Sequence, residues 1–263
     1  MADSATNIVP DLLGMLWAIG LMAISIGLSS WQGLGLSKTL AIATVRTLVQ
    51  LLGVGLFLSI VFSTENPLII LAVIAGMATI AAVVARNRID REMSRLFKWV
   101  LLAIFSSGLV TVTYVCVFVI QLDPWYSPQY LIPLSGIVLG NAMTAASIAG
   151  ERLVSALRNS RTEIETHLSL GATPEQAAST YRKEAIKAGL IPTINAMMVV
   201  GLVTLPGMIT GQILGGADPL IAALYQILIM FMLALATLIA ALIATYGIMQ
   251  QFFNPAMQLV DPR

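Results

Sequence analysis

Charged residues are scarce in this sequence: Asp, Glu, Lys and Arg make up 10% of the 263 residues, and the formal net charge is +1. A soluble domain averages roughly 25% charged residues. Hydrophobic residues make up 58% of the chain, and its mean hydropathy is +0.89. Such a chain could not cover an apolar interior with polar side chains in water, so the composition excludes an ordinary soluble protein and indicates a membrane protein.

Cysteine and histidine each occur once, as Cys116 and His167. A single cysteine excludes an intrachain disulfide and a cysteine-based metal or redox motif. A single histidine excludes a metal site built from several histidines, so no metal ligands are assigned. The sequence also lacks the G-x-x-x-x-G-K-[ST] phosphate loop, so we expect no ATP hydrolysis of that type in this chain and no enzyme activity of its own.

The first ten residues, Met1 to Pro10, contain no Lys or Arg. A secretory signal peptide would begin with a positively charged region. We therefore expect the first apolar stretch to remain in the protein as a membrane helix.

Long apolar stretches account for most of the chain, and about seven of them reach the roughly 20 residues needed to cross a bilayer. The stretches are continuous rather than alternating, which favours helices over the strands of a barrel. We predict an all-α polytopic membrane protein of about seven transmembrane helices, forming a single permease domain over residues 1–263. The predicted spans are Leu12 to Ser30, Thr39 to Phe62, Pro67 to Ala85, Trp99 to Ile120, Tyr130 to Ala149, Ile186 to Thr210 and Pro219 to Tyr246.

Positive charge is distributed unevenly among the connecting segments. Arg and Lys cluster in Arg86 to Lys98 and in Gly150 to Lys187, whereas Ser63 to Asn66, Gln121 to Gln129 and Gly211 to Asp218 contain none. Basic loops face the cytoplasm in membrane proteins. The pattern therefore predicts an N-terminus outside and a C-terminus in the cytoplasm.

The longest polar segment, about residues 150–185, is predicted to form two helices separated by a break at Gly171. Thr173 and Gln176 are spaced as a capping box, and Pro174 suits the first position of the second helix. On the residues alone two interpretations stay open: an ordinary solvated connection, or a docking element that passes a partner's motion to the flanking spans.

The stretch from Glu165 to Pro174 resembles the coupling loop of ABC transporter permeases, in which a Glu is followed six residues later by a Gly. Thr166 and His167 stand where that motif has alanines. The resemblance implies that this segment contacts a cytoplasmic ATPase. The residues assigned to coupling are Glu165, His167, Gly171, Ala172, Thr173 and Pro174.

Three further stretches, Arg46 to Leu52, Pro133 to Met143 and Leu205 to Gly216, are similar to the family of bacterial iron-export permeases of the FetB type, which includes a plant aluminium-tolerance permease. The resemblance implies an ABC permease of the bacterial inner membrane that exports iron or a related metal. It also implies two permease copies per complex and a separate ATPase that binds ATP and Mg. This chain itself is expected to bind no cofactor and no nucleic acid.

Polar and helix-breaking residues inside the predicted spans are candidates for the transport path. Pro206 should kink the sixth span, and the carbonyls freed there could line a water-filled path. Methionine thioethers could offer soft ligands, although core or lipid-facing roles are commoner. The residues assigned to the path are Arg46, Gln50, Asn141, Thr144, Asn195, Met198, Thr204, Pro206, Met208 and Gln212.

An ion-coupled secondary carrier or a channel, for a metal or a small solute, is the alternative function. A proton-coupled carrier would be expected to hold an acidic residue within a span. Acidic residues in this chain fall in loops and at span ends, for example Asp90, Glu151 and Asp218. The pattern therefore favours the ABC permease without removing the alternative.

Overall fold

The computed structural model describes residues 11–63, 66–93 and 95–262, and these residues are predominantly helical. Within these ranges extended pairing is limited to isolated bridges between Val200 and Thr204 and between Phe253 and Leu259. The all-α class is therefore confirmed. The predicted outer N-terminus, Met1 to Pro10, and part of the predicted outer loop, Thr64 and Glu65, lie outside the described residues.

Ten α-helices form the described part of the chain, and a π-helical turn, Val115–Val119, extends the fourth. They are α1 (Leu12–Trp31), α2 (Ser37–Phe62), α3 (Pro67–Ile89), α4 (Leu96–Tyr114), α5 (Pro128–Asn159), α6 (Arg161–Ser169), α7 (Pro174–Ala177), α8 (Ser179–Val199), α9 (Gly207–Leu214) and α10 (Pro219–Phe252).

The chain divides into two compact units, Met1–Glu65 and Asn66–Arg263. In the first unit α1 and α2 contact each other. The connection between them contains Gly33 and Gly35, whose φ angles of +63° and +69° lie in the left-handed region that glycine adopts without a steric penalty. A single domain over the whole chain stays a prediction.

The second unit is a bundle in which α10 and α5 pack on each other and on α4, and α3 packs on α4 and α5. Small residues allow the helices to approach closely. A Cβ on Gly189 of α8 would lie 2.8 Å from the Ala145 carbonyl oxygen of α5, and a Cβ on Gly247 of α10 would collide with the Trp99 indole of α4. By contrast, Gly140 of α5 has open space beside its Cα.

One end of this bundle is defined by Arg158, and we call it the Arg158 end. Arg158 is the penultimate residue of α5. Its guanidinium pairs with Asp90, just after α3, and with Asp261, after α10. The C-terminal ends of α3, α5 and α10 therefore meet at the Arg158 end. The start of α8 lies near the end of α10, because Arg182 donates to the Leu242 carbonyl.

The predicted sixth span, Ile186 to Thr210, is not one kinked helix but two helices with an irregular break at residues 200–206. The interruption comes before Pro206, because Gly201 adopts φ +80° and the Val199 carbonyl accepts from the amides of Leu202, Val203 and Thr204. Pro206 instead directly precedes α9. Six helices of the described residues are long and apolar enough to cross a membrane, and α8 and α9 are not among them.

Even so, the α8–α9 segment runs back along α10. Arg182 of α8 contacts the later part of α10, and Ile209 of α9 lines a cavity together with Ala223 near the start of α10. This return brings the chain from the Arg158 end to the start of α10. The number of membrane crossings and the orientation stay predictions.

Candidate functional site

The segment predicted to dock a partner, residues 150–185, begins as a continuation of α5 rather than as a loop. Leu153 and Leu157 of α5 and Ile164 of α6 are fully buried, in one cluster with Phe252 and Leu259 from the end of the chain. This apolar face attaches the segment to the Arg158 end of the bundle. We call residues 150–185 the coupling element.

The turn after α6 has the hydrogen bonding of a Schellman motif. The Gly171 amide donates to the Leu168 carbonyl, and the Ala172 amide donates to the His167 carbonyl. Gly171 has φ +90°, a conformation that favours glycine. Leu170, just before it, is 80% exposed. The turn is thus a hydrogen-bonded structure that presents one large apolar side chain.

The predicted capping box is confirmed. The Thr173 amide donates to Gln176 Oε1 at 2.9 Å, and the Gln176 amide donates to Thr173 Oγ1 at 3.3 Å. Pro174 opens α7, as predicted, but α7 is a single turn and Ala178 separates it from α8. Reciprocal capping defines where the chain leaves the Gly171 turn.

Charged and polar side chains on the surface of the coupling element pair with one another. Arg161 Nε donates to Glu165 Oε1 at 2.8 Å, one helical turn away. The Tyr181 hydroxyl of α8 donates to Glu163 Oε2 of α6 at 2.6 Å, and this hydrogen bond raises the pKa of Tyr181. His167 is exposed. The Tyr181–Glu163 bond ties α8 to α6 across the Gly171 turn.

A groove of about 620 Å³ lies between α6 and the C-terminal segment, residues 253–262. Glu165, Gly171 and Ala172 line it together with Leu259. Sequence reasoning did not identify this C-terminal segment. The local signal was Asn254-Pro255, a turn-forming pair, and Gln258 and Met257 amides donate to Asn254 acceptors within the turn. The C-terminal segment therefore forms one wall of a groove whose other wall is the coupling element.

Four of the predicted path residues lie on α2 and α5. Arg46 and Gln50 are exposed on one face of α2. On α5, Asn141 Nδ2 donates to the Ile137 carbonyl, and Thr144 Oγ1 donates to the Gly140 carbonyl. Their hydrogen bonds are thus made within their own helix.

The other predicted path residues lie on or beside the break between α8 and α9. Asn195, Met198 and Thr204 are exposed, whereas Pro206, Met208 and Gln212 are partly buried. Gln212 Oε1 is buried without a hydrogen-bond partner. Across the described residues, no three or more His, Cys, Asp and Glu side chains are grouped so that they could hold a metal ion.

Comparison with known sequences decides the family. The model of the Uncharacterised protein family (UPF0014) matches residues 12–253. The chain belongs to the UPF0014 family. A UPF0014 membrane protein of Synechocystis is 53% identical over 244 residues, which cover 93% of this chain and 94% of the relative.

Two further relatives carry functional names. The protein named "Probable iron export permease protein FetB" of Escherichia coli is 32% identical over 97% of this UPF0014 chain and 96% of its own length. "Protein ALUMINUM SENSITIVE 3" of Arabidopsis thaliana is 32% identical over 92% of this chain and 87% of its own length. No solved structure matches. The family resemblance inferred from the sequence is confirmed, and this UPF0014 protein is a multi-pass membrane protein.

Proposed function

We propose that this chain is the membrane-spanning permease of an ABC transporter that exports iron or a related metal, driven by ATP hydrolysis on a separate ATPase subunit. The coupling element supports the proposal most directly. It is anchored to the Arg158 end of the bundle by Leu157 and Ile164, and its turn presents Leu170 to solvent. An exposed apolar side chain on a well-ordered turn is suited to a pocket on a partner.

Motion of the ATPase would reach the membrane helices through continuous helices. α5 runs without a break into the coupling element, and α8 leaves it. Because packed elements shift as rigid bodies, a push on the Gly171 turn would move α5 and α8 rather than deform the turn. In this proposal the C-terminus is cytoplasmic and the complex holds two permease copies in the bacterial inner membrane. ATP and Mg bind the ATPase.

Cysteine cross-linking tests the docking site. Cys116 is the only cysteine, so Ala172→Cys in a Cys116→Ser background provides a single reactive site in the coupling element. We expect a disulfide with a cysteine on the co-expressed ATPase. The matched control is Ala217→Cys, in the exposed connection between α9 and α10, which should give none. Absence of cross-links from Ala172→Cys and its neighbours would contradict docking at this element.

Metal-stimulated ATPase activity tests the cargo. The permease and the ATPase encoded beside it would be reconstituted in liposomes and titrated with iron(II), iron(III), copper(I) and zinc. Stimulation by iron supports the proposal. A chain with no co-purifying ATPase and with nucleotide-independent flux would instead be an ion-coupled carrier or a channel.

A further inference from the structure

A pocket of about 270 Å³ lies at the Arg158 end, between the start of α8 and the last turns of α10. Ser179, Arg182 and Lys183 line it from α8, and Leu242 and Tyr246 line it from α10. The pocket thus combines basic and hydroxyl side chains with apolar and aromatic ones. Such a lining suits a molecule that has an anionic head and an apolar tail.

The Arg182 guanidinium is held in place by neutral groups only. Its Nε donates to Thr245 Oγ1 at 3.3 Å, its Nη2 donates to the Leu242 carbonyl at 3.2 Å, and its Cζ lies 5.8 Å from the Tyr246 ring centroid. Arg182 forms no ion pair within the described residues. Its Nη1 has no partner there and is not buried. One N–H group of a fixed cation is therefore available to an anion.

Lys183 and Glu175 add a second cation and one carboxylate to the lining. Both side chains are exposed, and neither forms an ion pair in the part of the chain that the structure describes. By contrast, Arg158 and Arg161 at the same end both pair with carboxylates. The pocket therefore carries two cations against one carboxylate, and this excess of positive charge favours an anionic ligand.

The apolar stretch of α10 places the pocket at the depth of lipid headgroups. Between Gln226 and Tyr246 the only polar side chains are those of Thr237 and Thr245. A helix of this length spans about 28 Å, which matches the roughly 30 Å hydrocarbon core of a bilayer. Tyr246 packs edge-to-face on Trp99, with 5.6 Å between the ring centroids, and aromatic side chains are enriched at membrane interfaces.

We propose that this pocket binds the headgroup of an anionic phospholipid. Phosphate oxygens accept from Arg182 Nη1 and Lys183 Nζ, and an acyl chain lies against Ile186 and Leu242. Basic pockets between transmembrane helices are suited to such headgroups. A soluble phosphate would use the cations but not the apolar side chains of the lining, which is why a lipid is favoured. The bound lipid would join α8 to α10 next to the coupling element.

Native mass spectrometry on the purified full-length permease tests the headgroup. The protein, in a non-ionic detergent, is offered equal amounts of phosphatidylglycerol and phosphatidylcholine with the same acyl chains. We expect the first bound lipid to be phosphatidylglycerol about fivefold more often, the effect of one basic residue at an anionic surface. Lys183→Gln should abolish this preference. Glu175→Gln should increase it about fivefold, because a like charge is removed from the site.

Lys98→Gln is the matched control. Lys98 is exposed in the first turn of α4 and does not line the pocket, so this variant should keep the preference. Equal losses in the Lys183 and Lys98 variants would mean that only the diffuse positive charge of this end attracts the lipid. That result, or an unchanged preference in Lys183→Gln, would overturn the inference.

Cysteine protection tests the location and the competing ligands. Ser179 lines the pocket, so Ser179→Cys in a Cys116→Ser background should react with N-ethylmaleimide several times more slowly in phosphatidylglycerol nanodiscs than in phosphatidylcholine nanodiscs. Equal rates would contradict the site. Equal protection by millimolar inorganic phosphate in phosphatidylcholine would assign the pocket to a soluble anion, and protection there only by added ATPase would assign it to that protein. The lipid comparison uses the permease alone, so its outcome is independent of ATPase docking.

Discussion

Arg158 Nη2 lies 2.7 Å from Asp90 Oδ2, and this ion pair joins the end of α5 to the residue that follows α3. The same nitrogen lies 3.1 Å from Asp261 Oδ1, beyond α10. The two carboxylates are far apart in sequence from Arg158 and from each other. One guanidinium thus holds together three chain segments at the end of the bundle that carries the coupling element.

Replacement of Arg158 by Met should destabilise the protein. The Arg158 and Asp90 side chains are 24% and 10% exposed, and loss of one partner from such a pair costs about 3 kcal/mol. Thermal unfolding in detergent, followed by fluorescence, should show a clearly lower Tm. Arg161→Met is the control: its pair with Glu165 is about half exposed, and exposed pairs contribute at most about 1 kcal/mol. Equal Tm values for the two variants would contradict the role given to Arg158.

The α8–α9 segment should cross the bilayer despite its interruption. With Cys116→Ser as background, Glu175→Cys should react with a membrane-impermeant maleimide only in inside-out vesicles, and Ala217→Cys only in intact cells. Both residues are exposed, before α8 and after α9 respectively. Labelling of both from the same side would mean that α8 and α9 re-enter the membrane without crossing it.

Gly171→Ala should weaken coupling to the ATPase more than it weakens the fold. At φ +90° a Cβ costs about 1–2 kcal/mol, and relief of that strain would rearrange the turn that presents Leu170. We expect reduced metal-stimulated ATPase activity and faster amide exchange in residues 168–176. Gly171→Asn should lose less activity, because Asn tolerates the left-handed region better than Ala.

The control for Gly171 is Gly140→Ala in α5. A Cβ at Gly140 meets no atom within 4 Å, and Ala is favoured over Gly in a helix interior. Its ATPase activity should match that of the unmodified protein. Equal losses in the Gly171 and Gly140 variants would show that the left-handed conformation does not matter for coupling.

The Tyr181–Glu163 hydrogen bond should stabilise the folded protein at neutral pH and lose this effect at alkaline pH. This bond raises the pKa of Tyr181 above its usual value of 10.0. Its contribution to stability is therefore fully present below pH 10 and is lost as the pH rises through the raised pKa of the folded state. Tyr181→Phe should lower Tm slightly at pH 8, and the difference between the two proteins should shrink above pH 10. A constant Tm difference from pH 8 to pH 11 would contradict this account.

Local patterns in the sequence were sufficient to predict several structural features of the coupling element. Thr173, Pro174 and Gln176 act within one turn of each other, so their capping box could be recognised from spacing alone. Gly171 could be recognised as a break because glycine readily adopts the conformation needed there. The family was recognisable because long stretches such as Leu205 to Gly216 resemble those of its members.

The break between α8 and α9 could not be predicted from local sequence patterns. Residues 186–210 are apolar enough to suggest one continuous helix, and the sequence predicts that Pro206 kinks this helix. The interruption instead depends on Gly201 and on competition of several amides for the Val199 carbonyl. Hydropathy averages over such a break, and therefore a hydropathy pattern cannot locate it.

The amino-acid sequence by itself determined the membrane class of this protein, its helical content, its family and the capping of its coupling element, because these depend on composition and on residues close together in the chain. The tertiary structure alone decided that Arg158 meets Asp90 and Asp261, that the C-terminal segment borders the coupling element, and that Met197 of α8 and Gln226 of α10 line one cavity. These relationships join residues that are distant in sequence, and only the packing of the helices brings them within contact distance.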